Sequence, residues 1–192
     1  MADTGYRFAT SSVVSTGTWA NVSNFFSTNG TEAACTISTK STSSVARLLN
    51  FGFTTSVLPT DATVSQVFMK CVWRVTTNAS VIANLGAAVL VTSVGLLSSH
   101  INVAEVTTLT TDTYDITADR VWQQSDFRDG TLEVRVTPFN GNDASDPFYR
   151  FDSVSLDVIY TVPAAQARQF FRATQNLDGI GSDAFTPGNQ LE

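Results

Sequence analysis

The stretch Gln66-Val67-Phe68-Met69-Lys70-Cys71-Val72-Trp73-Arg74-Val75 decides the fold. Val67, Met69, Cys71, Trp73 and Val75 fall on one side of a period-two pattern, with Gln66, Lys70 and Arg74 on the other. Successive side chains of a strand point to opposite faces, so this pattern reads as a strand with one face against a core. Pro59-Thr60-Asp61 sets a turn just before it, because Pro fixes its own backbone and Asp bonds to its own turn.

The same alternation returns further along. In Thr131-Leu132-Glu133-Val134-Arg135-Val136-Thr137 the Leu and both Val face in, and Glu133 and Arg135 face out. Phe151, Val154, Leu156, Val158, Tyr160 and Val162 form a third inward set, with Asp152, Ser155, Asp157 and Thr161 on the other side. Ala87-Ala88-Val89-Leu90-Val91 is apolar without alternation, which suits a strand covered on both faces. Thr107 to Thr117 reads as a further strand carrying Tyr114 and Ile116. Turn chemistry fills Phe139 to Pro147. With no amphipathic helix between the strands, the expectation is all-β: an antiparallel β-sandwich or jelly roll of about eight to ten strands.

Three regions follow. Residues 1–43 are dominated by Ser, Thr, Asn and Gly around Tyr6, Phe8, Trp19, Phe25 and Phe26, and read as an extended arm leading into edge strands. Residues 44–162 carry the sandwich. Residues 163–192 read as a C-terminal extension, with a short helix over 164–174 holding the adjacent Phe170 and Phe171. Adjacent aromatics on a short tail need a surface to dock on, either the parent domain or a neighbouring subunit. Phe25, Phe26, Phe170 and Phe171 are therefore the candidate subunit contacts, since symmetric oligomers bury a self-complementary apolar patch.

Composition narrows the function. The 192 residues include 20 Ser and 27 Thr, only 15% are charged, and Lys occurs twice. A coiled coil or helical bundle needs more Ala, Glu, Lys, Leu and Arg, and a disordered chain would lack the 43% hydrophobic residues. A net charge of −6 and a pI near 4.6 argue against nucleic acid as a partner. No apolar run reaches the roughly 18 residues of a membrane span, so no membrane partner is expected. The N-terminus has no basic region followed by an apolar run, so the expectation is a protein made in a cytoplasm. Cys35 and Cys71 are expected as buried reduced thiols, with a disulfide as the alternative.

Catalytic chemistry finds little support, and the chain is expected not to be an enzyme. His100 is the single histidine, which excludes multi-histidine metal sites, and no nucleophile elbow, P-loop or dinucleotide fingerprint occurs. Two distant cysteines do not make a zinc site. The oxygen-rich loop Asn140, Asn142, Asp143 and Asp146 fits no calcium-loop spacing and reads as solvated turn residues. No cofactor or metal is expected. Trp73 belongs to the core pattern, whereas Trp122, in a polar setting, is the candidate glycan contact of an alternative reading.

One pattern is more specific. Leu48-Leu49-Asn50-Phe51-Gly52-Phe53-Thr54 leads through Leu58-Pro59-Thr60-Asp61-Ala62-Thr63-Val64 into the Val67 strand. Asp126-Phe127 and Gly130-Thr131 then precede Leu132 to Val136, and Phe151-Asp152-Ser153-Val154 leads to Leu156-Asp157-Val158-Ile159-Tyr160. Over 44–162 this resembles β-sandwich domains of tailed-bacteriophage virion proteins, most like capsid decoration (cement) proteins: an aromatic-Gly-aromatic strand, a Pro-x-x-Ala-Thr turn, then alternating strands. The resemblance implies a structural protein on the capsid surface of a virion, bound to the major capsid protein and to copies of itself as a homotrimer. A surface of Ser, Thr and Asn, nearly free of Lys, suits repeated contacts because little side-chain entropy is lost in forming them. The alternative is a head-fibre or tail receptor-binding, carbohydrate-binding module.

Overall fold

The structure is a computed structural model that describes residues 1–39, 42–76, 83–102, 107–140 and 147–163. The expected helix over 164–174 and most of the C-terminal extension lie outside the described residues, as does most of the Asn140–Asp146 loop.

The strands run β1 (Ala2–Asp3), β2 (Arg7–Phe8), β3 (Ser11–Thr16), β4 (Thr18–Ala20), β5 (Ala33–Thr36), β6 (Thr42–Ser43), β7 (Val45–Leu49), β8 (Thr63–Thr76), β9 (Ala83–Val91), β10 (Gly95–Asn102), β11 (Thr110–Asp115), β12 (Leu132–Asn140) and β13 (Phe148–Thr161). Four of these thirteen, β1, β2, β4 and β6, have only two or three residues, leaving nine longer strands. Three 3-10 turns are the helical elements among the described residues: Val22–Phe25, Thr117–Asp119 and Gln124–Phe127. A seven-stranded sheet has the order β11-β8-β13-β5-β4, with β1 and β2 also on β13. A six-stranded sheet has the order β10-β9-β12-β7-β3, with β6 also on β12. The pairings are antiparallel, and the two sheets pack face to face as a β-sandwich.

The alternating segments meet between the sheets. Val67, Met69, Cys71, Trp73 and Val75 of β8 are fully buried. Across from them lie Ala46 and Leu48 of β7, Leu85, Ala87, Val89 and Val91 of β9, and Val134 and Val136 of β12. Removing one such large side chain from water contributes roughly 1.5–3 kcal/mol, which explains why strict period-two sequences settle as strands here. Trp73 stacks on Tyr149 and Phe151 of the neighbouring β13, with ring centroids 6.2 and 6.4 Å away. Tyr160 closes the far end of β13, and its hydroxyl donates to the Val57 carbonyl at 3.1 Å.

Residues 1–43 are more than an arm. One edge of β13 pairs with β8 along its length. The other edge is covered piecewise: β5 lies against Phe148–Phe151, Phe26 bridges Ser153, β2 pairs Ser155 and Leu156, and β1 pairs Ile159 and Tyr160. The chain then crosses sheets, because β3 pairs with β7 whereas β4 pairs with β5. Gly17 makes that crossing. Its φ is +80°, and a Cβ there would come within 1.8 Å of the Ser44 hydroxyl oxygen. The compact unit accordingly begins at Met1 and runs to Thr161.

Several faces differ from the sequence reading. Phe51-Gly52-Phe53 is not a strand: β7 ends at Leu49, and Asn50 and Gly52 have φ of +59° and +68°, which turns the chain so that both Phe rings enter the core. Glu133 faces away from the core and is nevertheless buried, beneath Arg47 and Arg135. Asp152, Ser153, Ser155 and Asp157 are buried as well, beside the N-terminal segments that line β13. Val162, expected inside, is exposed beyond the last strand.

Candidate functional site

Phe25 and Phe26 part company. Phe25 ends a 3-10 turn and is fully buried, with its ring 5.2 Å from Phe151 and 5.7 Å from Trp19. This corrects the expectation that it makes subunit contacts, because its apolar surface is consumed inside the chain. Phe26, the next residue, is only partly buried. Phe170 and Phe171 lie outside the described residues.

Phe26 lines a surface pocket of about 390 Å³ with Tyr6, Arg7, Phe8, Ala9, Thr10, Phe51 and Gly52. Its walls come from the N-terminal segment on one side and the left-handed turn after β7 on the other. Arg7 is the charged residue of this lining, and its Nη2 donates to the Gly52 carbonyl at 3.2 Å. A Cβ at Gly52 would come within 3.1 Å of that same nitrogen, a contact that a flexible arginine can relieve, so it is the φ of +68° that favours glycine here. Behind the turn, Arg128 donates to the carbonyls of Phe53 at 2.6 Å and Leu58 at 2.7 Å, fixing the irregular 51–58 segment. At the outer end, the Lys70 ammonium sits 3.8 Å over the Tyr6 ring. Burial pushes the Tyr6 hydroxyl above its ordinary pKa, helped by the Asp157 charge. The lining combines aromatic faces with one cation and contains no carboxylate, which suits an apolar or aromatic side chain followed by a carbonyl or carboxylate.

The chemistry-bearing residues elsewhere are engaged in structure. His100 lies 3.0 Å from Asp119 and packs on the Tyr114 ring, tying β10 to the turn after β11. The Trp73 indole donates to Asp112 at 2.6 Å. Cys35 and Cys71 are free and buried, and burial together with the Asp112 charge pushes the Cys71 thiol up to about 12. That thiol stays protonated near neutral pH and is a poor nucleophile. Among the described residues, no group of three or more His, Cys, Asp and Glu could hold a metal ion.

Trp122, the candidate glycan contact, is a core residue. It is 6% exposed, its indole donates to the Ile116 carbonyl at 3.0 Å, and its ring lies 5.1 Å from Phe127. The polar residues around it misled the sequence reading. They form the turn that holds it: Gln123 donates its N–H to Asp126 at 2.7 Å, and Asp126 also pairs with Arg120 at 3.2 Å.

Tyr6, Arg7, Phe8 and Phe51 were not singled out as site residues by the sequence. The two-residue strand Arg7–Phe8 is too short for any periodicity to register. The only signal was the isolated aromatics at 6, 8 and 26 in an otherwise small, polar segment.

No family model matches this chain, and no curated protein matches it. Among solved structures, it is similar to a xylanase 10C from Cellvibrio japonicus in complex with xylopentaose, at 15% identity and a TM-score of 0.40, over 82% of this chain and 27% of that one. It is also similar to the N-terminal endo-1,4-β-D-xylanase 10B of Clostridium thermocellum, CBM22-1-GH10 modules complexed with xylohexaose, at 13% identity and a TM-score of 0.39. That match covers 84% of this chain and 28% of the other. This chain thus spans little more than a quarter of either protein, and likeness at this level carries no argument about what it binds.

Proposed function

We propose that this chain is a structural virion protein of a tailed phage, a decoration (cement) protein that binds the outer capsid surface. It stabilises the shell through contacts with the major capsid protein and with neighbouring copies. One observation carries the reading: Phe25 is consumed in the core, whereas the next residue, Phe26, is only partly buried at the core's edge and lines an open aromatic pocket beside Arg7. A side chain from a neighbouring subunit is the occupant that such a pocket fits. The pattern over 44–162 that resembles phage virion sandwiches supports the same reading, and so does a surface rich in Ser and Thr. The carbohydrate-binding alternative has lost its Trp122 to the core.

The test is a count of copies per purified virion by quantitative mass spectrometry. Hundreds of copies per particle support a capsid decoration role. A handful would place the chain in the tail or neck, and absence from particles would overturn the proposal.

A further inference from the structure

The two flanks of the sandwich differ in charge. On one flank β10 and β11 end the two sheets, with His100, Asp112, Asp115 and Asp119 on or beside them. On the other, β3 ends the six-stranded sheet and β4 ends the seven-stranded sheet, joined by Gly17. This second flank lies in a long uncharged run, since no Asp, Glu, Lys or Arg occurs from Phe8 to Thr31. Val13 and Val14, at its centre, are 48% and 40% exposed.

An edge strand carries N–H and C=O groups on alternate residues that its own sheet leaves unpaired, and proteins guard such edges with charges, prolines or covering segments. β3 is six residues long, Ser11-Ser12-Val13-Val14-Ser15-Thr16, with no charge and no proline. Its one irregularity is a register shift between Val14 and Thr16. Among the described residues its strand partner is β7 alone. We infer that β3 is a pairing edge whose occupant is β3 of a second copy, antiparallel about a two-fold axis near Val13 and Val14.

The charge pattern selects this occupant. Two copies of net charge −6 repel, and a self-complementary contact sets every charge on the surface against its own image. The uncharged flank is the surface on which two copies meet without like-charge conflict. The charge nearest this edge, Arg47 opposite Val13 on β7, is already paired with Glu133, which leaves a charged partner little to read. The inference rests on the reading of this chain as a subunit-contact protein but not on the virion. Failure of the copy count and failure of this pairing are therefore separate results.

The experiment measures mass against concentration by sedimentation velocity for the full chain and for a Val13→Lys, Val14→Lys double variant. Val13→Cys and Val14→Cys single variants are oxidised in parallel, with wild type as control because Cys35 and Cys71 are buried. The expected result is a species of twice the chain mass that strengthens with salt as the repulsion is screened, is lost in the lysine variant at unchanged Tm, and is trapped as a disulfide dimer by at least one cysteine variant. If the lysines lower Tm, the cysteine variants decide. A chain that is monomeric at every concentration, self-association that survives the lysines, or failure of both cysteine variants to cross-link would overturn the inference.

Discussion

The carboxylate of Asp152 accepts the backbone N–H of Gly30 at 2.8 Å, fastening the loop after Phe26 to the last strand, 122 residues away in sequence. The same oxygen accepts the Asn29 N–H at 3.2 Å. Asp152 is the extra residue of a bulge in β13, where pairing with β8 steps from Phe151 opposite Trp73 to Ser153 opposite Val72. Bulges re-aim side chains, and this one turns a carboxylate toward the segment that positions Phe26.

Asp152→Ala therefore leaves two backbone donors without their acceptor. It is expected to cost about 2–3 kcal/mol, read as a lower urea midpoint with unchanged slope. Asp152→Asn retains one acceptor oxygen and is expected to cost less.

Phe25→Ala and Phe26→Ala should separate folding from contact. Phe25 fills the core and its truncation is expected to cost about 3–5 kcal/mol. Phe26 lines an open pocket, so its truncation should cost about 1–2 kcal/mol. Equal losses in thermal melts would refute the division of roles between these neighbours.

Glu133 ties stability to acid pH. Burial pushes its carboxyl up, but the hydrogen bonds from Arg47 and then Arg135 outweigh burial and hold it below the usual carboxylate range. The Arg47 Nε donates at 2.9 Å and the Arg135 Nε at 2.6 Å. A depressed folded-state pKa gives stability that is present above the unfolded value and lost as pH falls through the folded one. Melting scans should thus show Tm dropping through and below the carboxylate range near pH 4. Glu133→Gln should flatten that drop while lowering neutral-pH stability by about 1–2 kcal/mol.

Asp157 acts in the opposite direction. Burial, and then the neighbouring Asp3 carboxyl, raise its pKa. Its protonated form is favoured in the folded chain, so stability is greatest below the unfolded value and falls as pH rises through the folded one. Asp157→Asn removes the penalised charge and can keep the acceptor for the Thr4 hydroxyl, which donates at 3.0 Å. The expected outcome is a Tm gain of a few degrees at neutral pH and none in acid. A gain of equal size at both pH values would contradict it.

The strands that carry the core were legible in the sequence because period-two alternation is a local property. Val67 to Val75 and Leu132 to Val136 face inward as their spacing implies. What was not legible depends on partners distant in the chain. Glu133 reads as a surface residue until Arg47 is brought opposite Arg135 across β7 and β12. Asp152 and Asp157 read as solvent-facing until residues 1–30 fold back along β13. Trp122 looked exposed because of its polar neighbours, which turn out to cap the loop around it. The pocket beside Phe26 joins residues 6–10 to residues 51 and 52, and no window of sequence contains both.

The most direct measurement is co-sedimentation of the purified chain with phage capsid shells lacking it, comparing wild type with Phe26→Asp. Saturable, stoichiometric binding by wild type and loss of binding by a Phe26→Asp protein that still melts cooperatively are the predicted results. No binding by wild type, or equal binding by both, would contradict the account.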